Sequence, residues 1–147
     1  GEKLRYEDGG TIKSTGTYTP QGGDGRGRTK FQVVDWDHNG KLDIVLGVGP
    51  QSGSEFYSSY VLLCRNVGSN AAPVFKRPEV LLFNSDGKPL EFWRHAVHPA
   101  LVDWDGDGEW EIVAGADLGF VWYFKPEYFG RAEGECRIGR VEGDLGL

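Results

Sequence analysis

The sequence lacks the features on which several broad classes of protein depend. It has no run of about 18 apolar residues, so no membrane-spanning helix is expected. It has no Gly-x-Ser-x-Gly elbow, no His-Glu-x-x-His motif and no phosphate-binding loop, and it therefore carries no catalytic signature. No Cys/His spacing resembles a zinc site. Because the formal net charge is −6, a nucleic-acid partner is not expected either.

Cysteine is scarce and methionine is absent. The two cysteines are Cys64, in a strand-like run, and Cys136, in the C-terminal segment. A disulfide between them would fasten the C-terminal segment of a secreted protein, and two separate buried thiols are the alternative. The sequence leaves both interpretations open.

Glycine and aromatic residues, in contrast, are abundant. Glycine accounts for 23 of the 147 residues, well above its usual share of roughly 7%, and aromatic residues account for 13%. No segment has a sustained helical period. This length and composition predict one all-β domain over residues 1–147, rich in turns.

Short runs of β-branched, aromatic and other apolar residues predict seven strands. Turn signals rich in Gly, Asn, Asp and Pro separate the runs. The predicted strands are residues 31–35, 42–47, 60–66, 74–83, 101–103, 111–116 and 120–125.

One acidic pattern of nine residues occurs twice, each time leading directly into a predicted strand. We call residues 35–43 loop 1 and residues 103–111 loop 2. Position 6 of each loop is glycine, Gly40 or Gly108, which allows the positive φ that a sharp turn needs. Oxygen-bearing side chains stand at positions 1, 3, 5 and 9: Asp35, Asp37, Asn39 and Asp43 in loop 1, and Asp103, Asp105, Asp107 and Glu111 in loop 2.

The spacing of these oxygens predicts two Ca²⁺ sites, one in each loop. Ca²⁺ takes about six to eight oxygen ligands, and the backbone carbonyls of Lys41 and Glu109 at position 7 would each add one. An EF-hand is excluded, because position 12 is Leu46 or Ala114 instead of Glu and a strand rather than a helix follows. The alternative is that both loops are ordinary Asp/Gly hairpin turns.

The carboxylates of the two loops carry more negative charge than the net charge of the whole chain, which is −6. Without a cation, such clustered carboxylates repel one another. A ligand that binds only the native state stabilises that state, so we expect the fold to depend on its metal ions.

The two loops resemble the calcium loop of the FG-GAP/VCBS repeat, which forms β-propeller blades in integrin α-subunits and in many bacterial secreted proteins. The match is close over residues 29–47 and 99–124, and its one departure is Glu111, where Asp is usual. The resemblance implies four-stranded antiparallel blades, with Ca²⁺ held in the hairpin between neighbouring strands. Repeat one is expected over residues 28–83 and repeat two over residues 90–129.

The sequence does not decide how such a propeller would close. Propellers usually have about four to eight blades, and this chain has material for about two to three. An incomplete propeller exposes sheet edges and apolar faces. Three arrangements remain: a fragment of a larger parent chain, as a start at Gly1 without methionine suggests, a homo-oligomer that completes the propeller, or a compact module whose terminal segments cover the exposed faces.

Three groups of residues could contact a ligand. Trp36 and Trp104 recur at loop position 2, where they could stack on a sugar ring or pack beside the ion loop. Phe56 and Tyr57 lie in a polar stretch, either as contact residues or tucked against the blade. The third group consists of Trp93, Arg94, His95 and His98. It could recognise an acidic polysaccharide, or its histidines could serve as the acid and the base of a reaction. The alternative is that these histidines are structural or merely exposed.

Together, these patterns predict a calcium-stabilised binding module of a secreted or cell-surface protein, and an enzyme is disfavoured. Its partner would be a polysaccharide or a protein, and carbohydrate is preferred because of the aromatic loops. A fragment of a propeller polysaccharide lyase and a self-assembling structural repeat are the alternatives.

Overall fold

A computed structural model describes residues 1–12, 30–49, 58–83, 87–93, 97–115 and 119–129. These residues form two antiparallel β-sheets, which confirms the all-β prediction. The helical content of these ranges is one 3₁₀ turn, Pro126–Tyr128. None of their helices has the length and apolar character that crossing a membrane requires.

The first sheet contains five strands in the order β1-β2-β3-β4, with β5 paired to the start of β3. Its second strand is buried at every position. The strands are β1 Lys30–Val34, β2 Asp43–Val48, β3 Ser58–Cys64, β4 Glu79–Val80 and β5 Phe92–Trp93.

The second sheet contains three strands in the order β6-β7-β8. They are β6 His98–Val102, β7 Glu111–Gly115 and β8 Val121–Phe124. The predicted strands overlap these elements, with three differences. The strand predicted over residues 101–103 is β6, which begins earlier, at His98, and ends at Val102. The strand predicted over residues 74–83 is wrong in its length, since only Glu79 and Val80 form β4 and Pro78 has no N–H for a ladder bond. The short strand β5 was not predicted.

The two sheets contain units with matching register. We call β1–β3 the first unit and β6–β8 the second unit. Val34 pairs with Asp43 where loop 1 closes, and Val102 pairs with Glu111 where loop 2 closes. Farther along, Ile44 pairs with Cys64, as Ile112 pairs with Phe124. Residues 44–47 of β2 and 61–64 of β3 therefore have structural equivalents in residues 112–115 of β7 and 121–124 of β8.

The two units pack against each other through one face of each sheet. Successive side chains of a strand point to opposite faces, so alternate residues share a core. Val45, Val61 and Leu63 of the first unit lie in the same buried cluster as Ile112 and Phe124 of the second. The opposite face of the first sheet is covered by the N-terminal segment and by residues around 75, since Leu46 and Leu62 share a second cluster with Tyr6 and Phe75. The first sheet is thus buried on both faces at β2 and β3, whereas Phe31 and Val33 of the edge strand β1 are exposed.

Burial alters the ionisation of two groups in that second cluster. It raises the pKa of the Cys64 thiol from 9.0 to about 12, with further increases from Glu79 and Asp43. It also raises the pKa of Tyr6 from 10.0 to about 12. A Cys64 thiol in this environment is protonated at neutral pH. The sequence also left open a disulfide between Cys64 and Cys136, but Cys136 lies outside the described ranges.

One glycine of β2 lies against the backbone at the start of β6. A Cβ atom added to Gly47 would overlap the carbonyl oxygen of Val97 and would lie 2.8 Å from Cδ of Pro99. We expect Gly47→Ala to lower the free energy of unfolding by about 2–3 kcal/mol, because backbone must move to make room. Urea denaturation followed by circular dichroism measures this change.

The structurally equivalent Gly115 provides the matched control. No heavy atom of the described residues lies within 4 Å of a Cβ added there. We expect Gly115→Ala to change the free energy of unfolding by less than about 0.5 kcal/mol. Equal effects of the two substitutions would contradict the close packing of β2 on the start of β6.

Candidate metal centre

Loop 1 and loop 2 connect equivalent strands and have the same backbone geometry. Loop 1 joins β1 to β2, and loop 2 joins β6 to β7. Position 6 has a positive φ in both, 85° at Gly40 and 89° at Gly108, as predicted. Position 4 is also left-handed, with φ 56° at His38 and 76° at Gly106. Among the described residues, His38 is the one non-glycine residue with positive φ, so the loop imposes this conformation on a side chain that disfavours it.

Each loop brings three carboxylates together. Oxygen atoms of Asp35, Asp37 and Asp43 lie within 4.8 Å of one another, and the carboxylates of loop 2 at positions 1, 3 and 5 are equally close. Either group could hold a metal ion. The loop 2 group consists of Asp103, Asp105 and Asp107.

Backbone N–H groups hold the side chains at positions 1 and 5 in the same way in both loops. Position 1 accepts a hydrogen bond from the glycine at position 6, and position 5 accepts one from the N–H of position 7. The donor–acceptor distances are 2.8 Å for Gly40 N to Asp35 Oδ2, 3.2 Å for Gly108 N to Asp103 Oδ2, and 2.8 Å both for Lys41 N to Asn39 Oδ1 and for Glu109 N to Asp107 Oδ1. These bonds aim oxygen-bearing side chains towards the inside of each loop.

The carboxylate at position 9 closes each loop from its buried side. Asp43 and Glu111 are both only 1% exposed. Trp36 N donates to Asp43 Oδ2 at 3.1 Å, and Trp104 N donates to Glu111 Oε2 at 2.6 Å. Burying a negative charge is costly unless it is paired or coordinates a metal ion, so these positions favour a cation nearby.

The two position-9 carboxylates differ in their second contact. Asn66 N donates to Asp43 Oδ1 at 2.7 Å. The equivalent residue in the second unit is Pro126, which has no N–H to donate. Burial raises the pKa of Asp43, an effect that the N–H groups of Asn66 and Trp36 partly oppose.

Residues outside the predicted loops also hold loop 1. Arg65 Nη1 lies 2.9 Å from Asp37 Oδ2, and Arg65 Nε lies 2.8 Å from Glu79 Oε1. Asn70 accepts from Leu42 N at 2.8 Å and donates to the Gly40 carbonyl at 3.0 Å. Neither residue was predicted from the sequence, because no local pattern links Arg65 or Asn70 to loop residues 28 and 30 positions away.

The two loops are in direct contact through Trp110, another residue that was not predicted. Trp110 stands at position 8 of loop 2, and its Nε1 donates to the Asp35 carbonyl of loop 1 at 3.0 Å. The His38 ring stacks on the Trp110 ring with 6.1 Å between centroids and 15° between planes. The backbone of loop 1 is therefore positioned in part by the second unit.

The tryptophans at position 2 have different surroundings. Trp36 packs against the first core cluster, and its ring centroid lies 5.2 Å from that of Phe129. Trp104 is 68% exposed and lies 5.8 Å from the ring of Tyr123, which is itself 41% exposed. Of the two predicted aromatic contacts, the structure thus leaves Trp104 accessible.

Most of the other predicted ligand-contacting residues lie outside the part of the chain that the structure describes. Phe56, Tyr57, Arg94 and His95 lie outside the described residues, as does the side chain of Trp93. His98 is exposed at the start of β6. Their participation in ligand binding stays a prediction, as does that of the Lys41 and Glu109 carbonyls in ion binding.

Comparisons with known proteins give no relative from which a function could be transferred. The chain matches no family model, no curated protein and no solved structure. Its function must therefore be argued from its own residues.

Because Trp36 is packed and Trp104 is exposed, we expect their replacement by alanine to lower the free energy of unfolding by different amounts. We expect Trp36→Ala to lower the free energy of unfolding by about 2–3 kcal/mol, because it removes a ring packed against the core. We expect Trp104→Ala to cost less than about 1 kcal/mol. Urea denaturation of both variants under the same buffer conditions measures the difference, and a larger cost for Trp104→Ala would contradict the described packing.

Proposed function

We propose that this chain is a calcium-stabilised binding module with one Ca²⁺ in each hairpin loop. The observation that carries the proposal is the repetition of one loop geometry in two equivalent hairpins. Register, left-handed positions, carboxylate clustering and three side-chain hydrogen bonds recur in both loops. A chance turn has no reason to repeat all four features.

The donor set favours Ca²⁺ over softer or smaller cations. The side chains at positions 1, 3, 5 and 9 offer only oxygen, whereas zinc sites use mainly His nitrogen and Cys sulfur. The carbonyl at position 7 adds a further oxygen in the proposed site. The loops are largely exposed, so water can complete a coordination number of about six to eight.

The proposed role of the ion is structural. A divalent ion next to the position-9 carboxylate would tie the turn of the loop to the first residue of the following strand. In loop 1 it would connect Asp35 and Asp37 to Asp43 at the start of β2. Compensating a buried charge in this way stabilises the hairpin.

The proposed architecture is a set of propeller-like blades, in keeping with the resemblance to FG-GAP/VCBS repeats. Two units of the same register packed through one face of each sheet support it. The same resemblance supports a secreted or cell-surface location, where Ca²⁺ is abundant.

The proposed ligand surface is the exposed aromatic pair beside loop 2. The Trp104 ring lies beside that of Tyr123, and Val121, which is 75% exposed, is on the same face of β8 as Tyr123. Flat, exposed aromatic rings can pack against the C–H face of a sugar, and a tryptophan or tyrosine also offers a polar atom. We therefore propose a polysaccharide as the ligand.

A protein surface or a second copy of the chain is the other candidate for this face. The observation in its favour is that the ring of Phe129, which follows β8, packs against the ring of Trp36. A further unit could cover Trp104 in the same manner. Light scattering across a concentration range separates this candidate from glycan binding by a monomer.

Calcium removal provides the first test. We expect a chelator to lower the melting temperature by about 5–10 °C relative to protein in Ca²⁺ at roughly 100 times its Kd, because only the folded state offers the sites. Calorimetric titration is expected to show uptake at both loops.

Charge-matched variants control this experiment. Asp105→Asn removes one proposed ligand of loop 2, whereas Glu7→Gln removes an exposed acid that belongs to neither loop. The first is expected to weaken Ca²⁺ uptake and the second to leave it unchanged. An identical melting temperature with and without chelator would overturn the proposal.

Glycan binding provides the second test. On a glycan array in Ca²⁺, we expect Trp104→Ala to weaken binding at least about tenfold, because stacked aromatic residues dominate such contacts. Phe31→Ala is the control, since Phe31 is 57% exposed on the other sheet. Equal loss in both variants would argue against the proposed face.

A further inference from the structure

We propose that Arg65 is a built-in counter-cation that competes with Ca²⁺ for Asp37, so that loop 2 binds Ca²⁺ more tightly than loop 1. This inference rests on the proposed function, because it concerns the relative affinity of the two proposed ion sites. It assigns a regulatory role to a residue outside both loops.

The position of Arg65 follows from the sheet. Cys64, the last residue of β3, pairs with Ile44 of β2, and Ile44 directly follows loop 1. The next residue, Arg65, therefore emerges beside the loop. Its side chain is only 18% exposed, and its guanidinium lies 2.9 Å from Asp37 and 2.8 Å from Glu79.

The guanidinium and a divalent ion would use the same carboxylate. Asp37 lies within 4.8 Å of Asp35 and Asp43, so an ion held by this cluster would be close to Arg65. The positive charge on Arg65 would repel that ion, and the Asp37 oxygen would have to be shared or released. Glu79 anchors the guanidinium from the other side, so Arg65 need not leave its place when Asp37 turns to the ion.

Loop 2 has a different electrostatic environment. The residue equivalent to Arg65 is Lys125, and no ion pair among the described residues reaches Asp103, Asp105 or Asp107. Loop 2 also has a carboxylate at position 5 where loop 1 has Asn39. Its position 7 is Glu109, whereas loop 1 has Lys41. Each of these differences makes loop 2 the more attractive site for a divalent cation.

Calorimetric Ca²⁺ titration of the whole chain tests the inference, with loop 2 disabled by Asp103→Ala and Asp105→Ala so that loop 1 is measured alone. In this background we expect Arg65→Gln to tighten Ca²⁺ binding about tenfold, because it removes both the competing ion pair and the repulsion. We expect Glu79→Gln to weaken binding about threefold, because it leaves Asp37 as the sole anionic partner of Arg65. These opposite signs distinguish competition from a general loss of structure.

Two controls complete the design. Arg77→Gln removes an arginine that pairs with Asp8, away from both loops, and is expected to leave Ca²⁺ affinity unchanged. In a double variant that also carries Arg65→Gln, Glu79→Gln is expected to have no further effect. Circular dichroism verifies folding, and Glu79→Gln keeps the inference testable if Arg65→Gln does not fold.

The outcomes separate this inference from the proposed function. Ca²⁺ binding that is equally tight in both loops, or unchanged by Arg65→Gln in folded protein, would overturn the role of Arg65 and leave the calcium sites standing. No Ca²⁺ uptake by any variant, including the unmodified chain, would overturn both.

Discussion

A buried carboxylate at the end of each loop is the constraint on which the hairpins depend. Asp43 and Glu111 begin β2 and β7, are almost fully buried, and each accept the backbone N–H of the tryptophan at position 2. Asp43 accepts a second amide bond, from Asn66 N, but amide bonds only partly compensate a charge withdrawn from water. In loop 1, oxygen atoms of Asp35 and Asp37 lie within 4.8 Å of one of Asp43, close enough to share a cation with it. The ion that we propose is therefore a part of the folded hairpin.

The local features of the fold could be predicted from the sequence, because each depends on neighbouring residues. Runs of β-branched and alternating apolar residues predicted the strands, and the spacing of oxygen-bearing side chains predicted both loops. Gly40 and Gly108 predicted the left-handed turn at position 6. Position 4 shows the limit of this reasoning, since His38 adopts the same left-handed conformation as Gly106 although its side chain disfavours it. The loop geometry as a whole, held by its hydrogen bonds, overrides the local preference there.

The features that could not be predicted all depend on tertiary packing. Arg65 and Asn70 reach loop 1 because β3 pairs with β2 and brings the residues after it alongside the loop. Trp110 reaches loop 1 because the second sheet packs on the first. Local propensity contains no information about which strand ends beside which loop. The shortened fourth strand and the two-residue β5 are likewise decided by their neighbours rather than by a periodic pattern.

Loop 1 receives contacts from residues later in the chain. Trp110 of loop 2 and Phe129, which follows β8, contact loop 1 at Asp35 and Trp36. The equivalent loop of the second unit contains the exposed Trp104. Two loops with the same left-handed positions thus have different surroundings because of their order along the chain. Loop 1 is restrained by contacts with Arg65 and Trp110. Loop 2 keeps its full complement of carboxylates and an uncovered aromatic face, so a partner that binds there would meet the more acidic of the two loops.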